Sequence, residues 1–321
     1  MKKAVFIIPY FGRLPQYYKL WMKTALANQN VDFWIFTDDS NCTSNYLNIK
    51  IYHTSFQNLV DRAQSKFDFK LGLMSPRKLC DMKPAYGYIF EEEIQSYSYW
   101  GYCDIDVFLG DLDKMIPWEK GFQKLFAHGH MTLFQNTFEN NRLFMKAVHG
   151  FETYRDILAA SENKVFDEPS DGLNINLIAQ KEDISLYLDS NIIDINPYHY
   201  LFRRALYDYS IPYKKGRPVS VEEVGKQLFL WERGKLYRYY VNNKVLVKEE
   251  MRYVHFQKRE LNIQKDCIDS DRFIVVPNKV IPFKEEVTIS VLNQMVRNRL
   301  VYPQYYKLKW NNFKKKLRTL I

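Results

Sequence analysis

The first forty residues alternate between apolar runs and an amphipathic segment, a pattern typical of an α/β protein. Residues 4–9 (AVFIIP) and 32–37 (DFWIFT) predict buried strands, and residues 16–29 between them predict a helix. A strand, a helix and a strand within about 35 residues predict a parallel sheet with right-handed crossovers.

Ligands of such sheets bind beyond the carboxyl ends of the strands. We therefore expect a ligand-binding rim at the residues that follow the first two strands, which are Pro9, Tyr10, Phe11, Thr37, Asp38 and Asp39.

The remaining pattern extends this α/β organisation and then changes to strands with turns. The predicted helices are 57–68, 83–96, 139–149 and 172–180, and the predicted strands are 97–109 and 130–136. After Asn191, short strands alternate with turns, for which Glu232–Lys235 and Asn242–Lys244 are candidates. No repeat or linker divides the chain, so we expect one domain over residues 1–260 and a C-terminal helical extension over 261–321.

Two aspartates, Asp104 and Asp106, lie at the apolar end of the predicted strand 97–109. Side chains alternate along a strand, so both carboxylates should project from one face. They repel each other unless a cation or a proton lies between them. Mg²⁺ and Mn²⁺ prefer such oxygen ligands together with substrate phosphates. The alternative is a solvated strand end that carries two unrelated acids.

Four segments give the chain a family resemblance. They are WGYCDIDVFLG around these aspartates, KLCDMKPAYGYIF before them, AVFIIPYFG at the start and WIFTDD at the second strand. Over residues 1–260 the chain resembles GT-A-fold glycosyltransferases, especially bacterial enzymes of surface-polysaccharide assembly. The resemblance implies a GT-A-like (Rossmann-like) mixed, mostly parallel central sheet flanked by helices. It also implies transfer of a hexose from a nucleotide-diphosphate sugar, such as a UDP-sugar, to a saccharide acceptor.

The resemblance also implies roles for individual residues. Asp104–Ile105–Asp106 would bind the donor diphosphate and a Mn²⁺ or Mg²⁺ ion. Pro9, Tyr10 and Asp38, with Phe11 beside them, would lie at the nucleoside. Asp81 and Lys83 would close over the donor ribose and sugar.

The segment RYVHFQKREL resembles the late histidine region of retaining family-8-like enzymes. His255 would then be a third metal ligand and Lys258 would face the diphosphate. Independently of the resemblance, a neutral imidazole at the end of a strand is a good ligand for a metal that carboxylates already hold. The alternative is a histidine that is merely packed beside basic residues.

Acidic residues also precede the predicted helix 172–180, in FDEPSDGLNINLI. The segment resembles the region in which family-8-like enzymes contact the donor sugar. If the enzyme inverts the anomeric bond, Glu168 or Asp171 is a candidate general base. Capping of the helix N-terminus explains the same acids equally well.

The charge of the chain is concentrated in its C-terminal residues. The net charge is +9, and residues 287–321 contain eight basic residues and no acid, which leaves +1 for the rest. As a helix, this segment places Trp310, Phe313, Leu317 and Leu320 on one stripe with basic flanks. Such a helix is typical of contact with an anionic membrane, and a lipid-linked oligosaccharide acceptor would explain that contact.

Cysteine spacing and the missing motifs argue against several other classes of protein. Four separated cysteines form no CxxC pair, which argues against a zinc site or a disulfide framework. We therefore expect a cytoplasmic protein, and the basic C-terminal segment places it at the inner face of the membrane. A sugar-nucleotide nucleotidyltransferase would share the fold and the metal carboxylates, but it normally needs a glycine-rich loop after the first strand. A nucleic-acid-binding protein is disfavoured by the near-neutral body, so no nucleic acid partner is expected.

Overall fold

The structure of the chain is a computed structural model that describes residues 2–42, 46–189, 191–207, 220–222, 224–299 and 301–318. In chain order, the strands are β1 (Ala4–Pro9), β2 (Val31–Thr37), β3 (Ile49–His53), β4 (Tyr99–Cys103), β5 (Val107–Leu109), β6 (Lys124–His128), β7 (Met131–Gln135), β8 (Leu186–Tyr187), β9 (Ile192–Asp194), β10 (Ala205–Leu206), β11 (Ser220–Val221), β12 (Gln227–Glu232), β13 (Lys235–Asn242), β14 (Val245–Met251), β15 (Tyr253–His255), β16 (Asn262–Ile263), β17 (Arg272–Val276) and β18 (Lys279–Pro282).

Helices connect and cover these strands. They are α1 (Tyr18–Leu26), α2 (Phe56–Gln64), α3 (Leu79–Met82), α4 (Tyr86–Ile89), α5 (Leu112–Met115), α6 (Phe138–Asn141), α7 (Tyr154–Ala159), α8 (Ile175–Lys181), α9 (Ile289–Met295) and α10 (Pro303–Arg318). Short 3₁₀ turns occur at Pro76–Lys78, Lys83–Ala85, Trp118–Lys120, Leu143–Met145 and Lys265–Cys267.

A seven-stranded, mostly parallel sheet is the centre of the fold, in the order β3-β2-β1-β4-β7-β6-β8. The pairs β1–β2, β2–β3 and β1–β4 are parallel, whereas β7 is antiparallel to both of its neighbours. The predicted mixed α/β sheet and its strand–helix–strand opening are therefore confirmed. The chain moves outward from β1 to β3 and returns to the other side of β1 as β4, so strand order reverses between β1 and β4.

Strand β1 is buried on both faces, which explains its continuous apolar run. Val5 and Ile7 pack into one hydrophobic core, while Phe6 and Ile8 pack into the core on the opposite face. Both faces of the sheet are thus covered, and the ends of the strands are where a ligand can approach.

The predicted strand 97–109 is two strands, so the alternation of side chains along one strand does not explain how the two aspartates come together. β4 ends at Cys103 and β5 begins at Val107, so Asp104 and Asp106 lie in the turn between them. β4 belongs to the central sheet, whereas β5 belongs to a three-stranded sheet in the order β5-β15-β9. The two aspartates are brought together by the junction of two sheets and not by the pleat of one strand.

The predicted helix 83–96 is confirmed only over its first half, as a 3₁₀ turn at Lys83–Ala85 and as α4 at Tyr86–Ile89. Residues 76–89 form successive short 3₁₀ and α turns that end by Phe90. Pro84 lies at the start of one of these turns and has no amide hydrogen to donate. A Cβ on Gly87 would lie 2.1 Å from the indole ring of Trp100, so this segment packs its backbone directly on β4.

A six-stranded sheet, in the order β14-β13-β12-β17-β18-β16, follows in the C-terminal half. The turns predicted at Glu232–Lys235 and Asn242–Lys244 are confirmed as the connections from β12 to β13 and from β13 to β14. The predicted boundary at residue 260 is wrong, because β17 pairs with β12 along Phe229–Glu232. Residues 261–283 therefore complete this sheet and are not an extension.

The predicted C-terminal helix is confirmed as α10. Gln304 and Leu308 face the protein, whereas Tyr306, Trp310 and Phe313 are at least half exposed. The helix is fastened beside the end of β15, where Gln304 Nε2 donates to the carbonyl of Lys258. The predicted stripe members Leu317 and Leu320 lie outside the residues whose side chains are described.

None of the described helices combines the length and the apolar character needed to cross a bilayer.

Candidate functional site

A cleft of about 310 Å³ opens at the carboxyl ends of β1 and β4. This is the point at which strand order reverses, where open α/β sheets bind their ligands. The end of β1 contributes Pro9 and Tyr10, and the turn after β4 contributes Asp104 to Asp106. Lys83 enters from the segment that packs on β4.

The turn that carries the two aspartates is held at both ends by backbone hydrogen bonds. The amide of Asp104 donates to the carbonyl of His130, next to β7, at 3.1 Å. The carbonyl of Asp106 accepts from the amide of Phe256, next to β15, at 3.0 Å. Because each end is fixed to a different sheet, the two carboxylates have little freedom to separate.

His255 meets this turn through the pairing of the three-stranded sheet. The register of β15 places His255 beside Val107 of β5 and beside Asp194 of β9. Its Nε2 lies 3.3 Å from Asp106 Oδ1, and its Nδ1 lies 2.9 Å from Asp194 Oδ1. Burial opposes the charged imidazolium, but Asp106 and Asp194 outweigh it and raise the pKa of His255 well above its usual value.

The donor set of Asp104, Asp106 and His255 fits a divalent cation. Each residue offers one ligand atom, and these atoms lie within 4.8 Å of one another. Ligands at about 2.1 Å from an octahedral ion are roughly 3.0 Å apart when adjacent and about 4.2 Å apart when opposite. Side-chain adjustments of about an ångström would therefore bring the three atoms into one coordination shell.

Lys83 occupies the inner end of the cleft between two carboxylates. Its Nζ lies 2.8 Å from Asp104 Oδ1 and 3.1 Å from Asp167 Oδ2, and it donates to the carbonyl of Gly129 at 2.8 Å. Burial disfavours the ammonium, yet the two aspartates raise the pKa of Lys83 well above its usual value.

The carboxyl of Asp167 is buried beside Lys83, behind the lining of the cleft. Burial, only partly opposed by Lys83, raises the pKa of Asp167 to about 7. The carboxyl approaches Gly129 so closely that a Cβ there would lie 2.2 Å from its Oδ2. Glycine at this turn therefore allows Asp167 to reach Lys83.

The predicted nucleoside rim divides into residues of the cleft and residues that shape it. Pro9 and Tyr10 line the cleft. Phe11 instead packs edge-on against Phe56 of α2. Asp38 accepts from the amide of Gly12 at 2.7 Å, so it holds the loop after β1 and lies outside the cleft lining.

The structure contradicts the predicted donor contact of Asp81. Its side chain is fully buried and forms an ion pair with Lys78 at 2.8 Å. It also accepts from the amides of Lys164 and Phe166, both at 2.8 Å. These bonds hold the segment that leads to Asp167, so Asp81 stabilises the structure around the cleft.

The two acids predicted before α8 lie in different environments. Glu168 lines a recess of about 330 Å³ together with Asp106 and His255, and its Oε2 lies 3.6 Å from Nδ1 of His128. Asp171 is exposed and does not line this recess.

Lys258 connects this recess to a wider groove. It lines the recess and also an open groove of about 760 Å³, to which Gln16, Tyr17 and Asn278 contribute. Tyr17 also lines the cleft between β1 and β4. The cleft and the recess therefore share Asp106, whereas the groove adjoins the recess at Lys258 and the cleft at Tyr17.

Several residues of the site were missed from the sequence. Asp194 ends β9 and contacts His255, as described above. His130 stacks on His255 with ring centroids 4.3 Å apart, and burial lowers the pKa of His130 well below its usual value. An acid within the apolar run NIIDI is the signal that could have identified Asp194. His130 lies in the turn between the neighbouring strands β6 and β7, but its contact with His255 joins segments that are far apart in the chain.

Comparison with known proteins places the chain in a family without adding an activity. No curated protein matches the sequence. A family model with the description "Family of unknown function (DUF6625)" matches residues 6–284, which is most of the chain. The chain with this cleft is therefore a member of the DUF6625 family.

Proposed function

We propose that the protein is a metal-dependent glycosyltransferase of GT-A-like fold that transfers a hexose from a nucleotide-diphosphate sugar, such as a UDP-sugar, to a saccharide acceptor. The observation that carries the proposal is the convergence of Asp104, Asp106 and His255 at the strand-order reversal. A surface-polysaccharide pathway is the setting that the sequence resemblance suggests.

The residues of the cleft have different roles in the proposed reaction. Asp104, Asp106 and His255 would hold a Mn²⁺ or Mg²⁺ ion, which neutralises charge on the departing diphosphate. Lys83 supplies a fixed positive charge at the inner wall, and Lys258 supplies a second one at the rim of the recess. Pro9 and Tyr10 form the wall on which the nucleoside would lie.

The acceptor would approach from the side of the open groove. The groove meets the recess at Gln257 and Lys258, and its lining is rich in amides, which suit neutral hydroxyl groups. In an inverting reaction Glu168 is the candidate general base, because it lines the recess beside Asp106. Retention of the anomeric configuration is the alternative, based on the similarity of the segment around His255 to retaining enzymes. NMR of the product decides between these two outcomes.

The location of α10 supports an acceptor carried on a membrane. The helix is fastened at Lys258 and Glu260, which line the groove, and it leaves Trp310 and Phe313 exposed. We propose peripheral contact with an anionic inner membrane surface and a lipid-linked oligosaccharide as the acceptor. The aromatic and basic side chains of α10 are suited to such an interface.

The proposal is tested with a panel of nucleotide sugars, with and without Mn²⁺, measured by thermal shift and by release of nucleoside diphosphate. We expect one donor to stabilise the protein only when metal is present. Asp106→Ala should lose this effect, whereas the exposed Asp171→Ala should keep it. Unchanged turnover in Asp106→Ala would refute the site, and release of pyrophosphate would indicate a nucleotidyltransferase instead.

A further inference from the structure

Asp194 lines the recess beside His255, and its carboxylate contacts the neighbouring side chains. It is buried, with 2% of its surface exposed, at the end of β9. Its Oδ1 lies 2.9 Å from His255 Nδ1 and accepts from Gln257 Nε2 at 2.7 Å. Its Oδ2 accepts from the hydroxyl of Tyr207.

These contacts fix the carboxylate before any ligand arrives. A buried carboxylate costs free energy unless its oxygens are hydrogen-bonded, and here both oxygens are bonded. Backbone pairing of β9 with β15 also fixes the distance between Asp194 and His255. Rotation of the carboxylate would break its hydrogen bonds to Gln257 and Tyr207, and rotation of the imidazole would break its contact with Asp194.

We propose that Asp194 is the positioning residue for His255 in metal binding. When the divalent cation displaces the Nε2 proton, the carboxylate keeps the Nδ1–H hydrogen-bonded, so that the Nε2 lone pair is directed toward Asp106 and the cation. Partners of this kind orient metal-binding histidines and increase their basicity as ligands. The inference rests on the metal site of the proposed function and adds a residue that does not touch the ion.

A rival arrangement uses the same residue as a ligand. His130, Asp194 and His255 also offer ligand atoms within 4.8 Å of one another. In that set an ion would compete with the hydrogen bonds that Asp194 already accepts from Gln257 and Tyr207. The existing bonds favour positioning, and a second bound ion per chain would overturn it.

The test measures Mn²⁺ binding to the full chain by electron paramagnetic resonance and calorimetry, without any substrate. Asp194→Ala should weaken Mn²⁺ binding about 10- to 100-fold. Asp194→Asn should weaken it less, because the amide oxygen still accepts the Nδ1 proton. His255→Ala and the double variant with Asp194→Ala should bind equally weakly, since Asp194 acts through His255.

A second readout separates positioning from general loss of structure. An imidazole favours Mn²⁺ over Mg²⁺ more than carboxylates do, so Asp194→Ala should reduce the preference for Mn²⁺. Asp189→Ala is the matched control, because it removes a carboxylate paired with Arg252 beside the same sheet and away from His255. The control should keep the Mn²⁺ affinity of the wild type. Should Asp194→Ala fail to fold, Asp194→Asn carries the same comparison.

Two results would overturn the inference in different ways. Equal Mn²⁺ affinity of wild type and Asp194→Ala, or additive losses in the double variant, would refute positioning while leaving the metal site intact. Absence of Mn²⁺ binding by the wild type would refute the metal site and the proposed function together.

Discussion

At the scale of the residue, Lys124 is the most unusual basic side chain of the described fold. It is fully buried in β6, where Nζ donates to Asn176 Oδ1 at 2.7 Å and to the carbonyl of Phe126. Burial lowers the pKa of Lys124 to about 7. The unfolded chain, in which lysine has its ordinary pKa, therefore binds more protons than the folded chain above neutral pH.

This difference predicts how stability depends on pH. The free-energy cost of burying the charged amine is constant below about pH 7 and disappears as pH rises toward the pKa of the unfolded state. Through Lys124, the free energy of unfolding therefore increases with pH by up to about 1.4 kcal/mol per pH unit. Lys124→Met cannot titrate. Urea unfolding from about pH 7.5 to about pH 9.5 should show wild type gaining stability relative to this variant.

The control for this prediction is Lys120→Met, which removes an exposed lysine four residues earlier. Its stability difference from the wild type should not change with pH. A pH-independent difference for Lys124→Met as well would mean that the buried amine titrates normally. The hydrogen bonds lost in Lys124→Met add a constant offset, which the comparison across pH removes.

Individual site residues were predictable where an apolar run ended in a polar side chain. Asp104, Asp106 and His255 were found in this way, and Lys83 through the family resemblance. Asp194 also ends an apolar run, but β9 has only three residues and gives too weak a periodic signal. The opposite error at Asp81 arose because a buried ion pair with Lys78 leaves no trace in the sequence pattern.

At the scale of the element, helix α1 holds β5 in place, and with it the turn that carries Asp104 and Asp106. Asn28 follows α1 and donates to the carbonyl of Gly110 at 3.0 Å. It also accepts from the amide of Leu112 at 2.8 Å. Thr24 accepts from the amide of Leu109 at 3.1 Å. Because Asn28 is buried, its loss would leave backbone groups without partners.

Asn28→Ala should therefore destabilise the protein by about 2–4 kcal/mol, since each orphaned buried group costs about 1–3 kcal/mol. Urea unfolding measures this loss, and hydrogen exchange should show that the amide of Leu112 loses protection. Asn30→Ala is the control, because Asn30 is exposed two residues later. Variants of equal stability would indicate that water replaces the bonds of Asn28.

Elements with strong periodicity were predicted well, and elements defined by contacts were not. Strands β1, β2 and β7 and the turns between β12, β13 and β14 follow from local pattern alone. The break between β4 and β5 does not, because Asp104 and Asp106 bond to different sheets. The predicted helix 83–96 has helical turns only as far as Ile89, and the packing of Gly87 on Trp100 that holds these turns on β4 follows from no local signal.

At the scale of the whole molecule, the site depends on segments that are far apart in the chain. Residues after β1, after β4, before α8 and at the end of β15 meet at one cleft. Sequence pattern predicted the central sheet because its opening is local. It placed residues after 260 outside the domain, because the pairing of β17 with β12 spans about forty residues and follows from no local signal.

The exposed face of α10, beside the groove, is also a feature of the whole molecule. The Trp310 and Phe313 rings stack with centroids 5.8 Å apart, and Lys314 lies over the indole of Trp310 at 5.3 Å. Aromatic rings among basic side chains favour the boundary between headgroups and acyl chains. Each basic residue near an anionic leaflet contributes about 1 kcal/mol.

The wild-type protein should therefore bind vesicles of phosphatidylglycerol and phosphatidylcholine more tightly than vesicles of phosphatidylcholine alone, and added salt should weaken the binding because it screens the charges. Trp310→Ser with Phe313→Ser should reduce binding at least about tenfold, because two aromatic rings no longer leave water. Sedimentation with vesicles measures both effects. Val245→Ser, which removes an exposed apolar side chain from a hairpin on another part of the surface, should bind as the wild type does. Equal binding of the double variant and the wild type would show that α10 does not reach the bilayer.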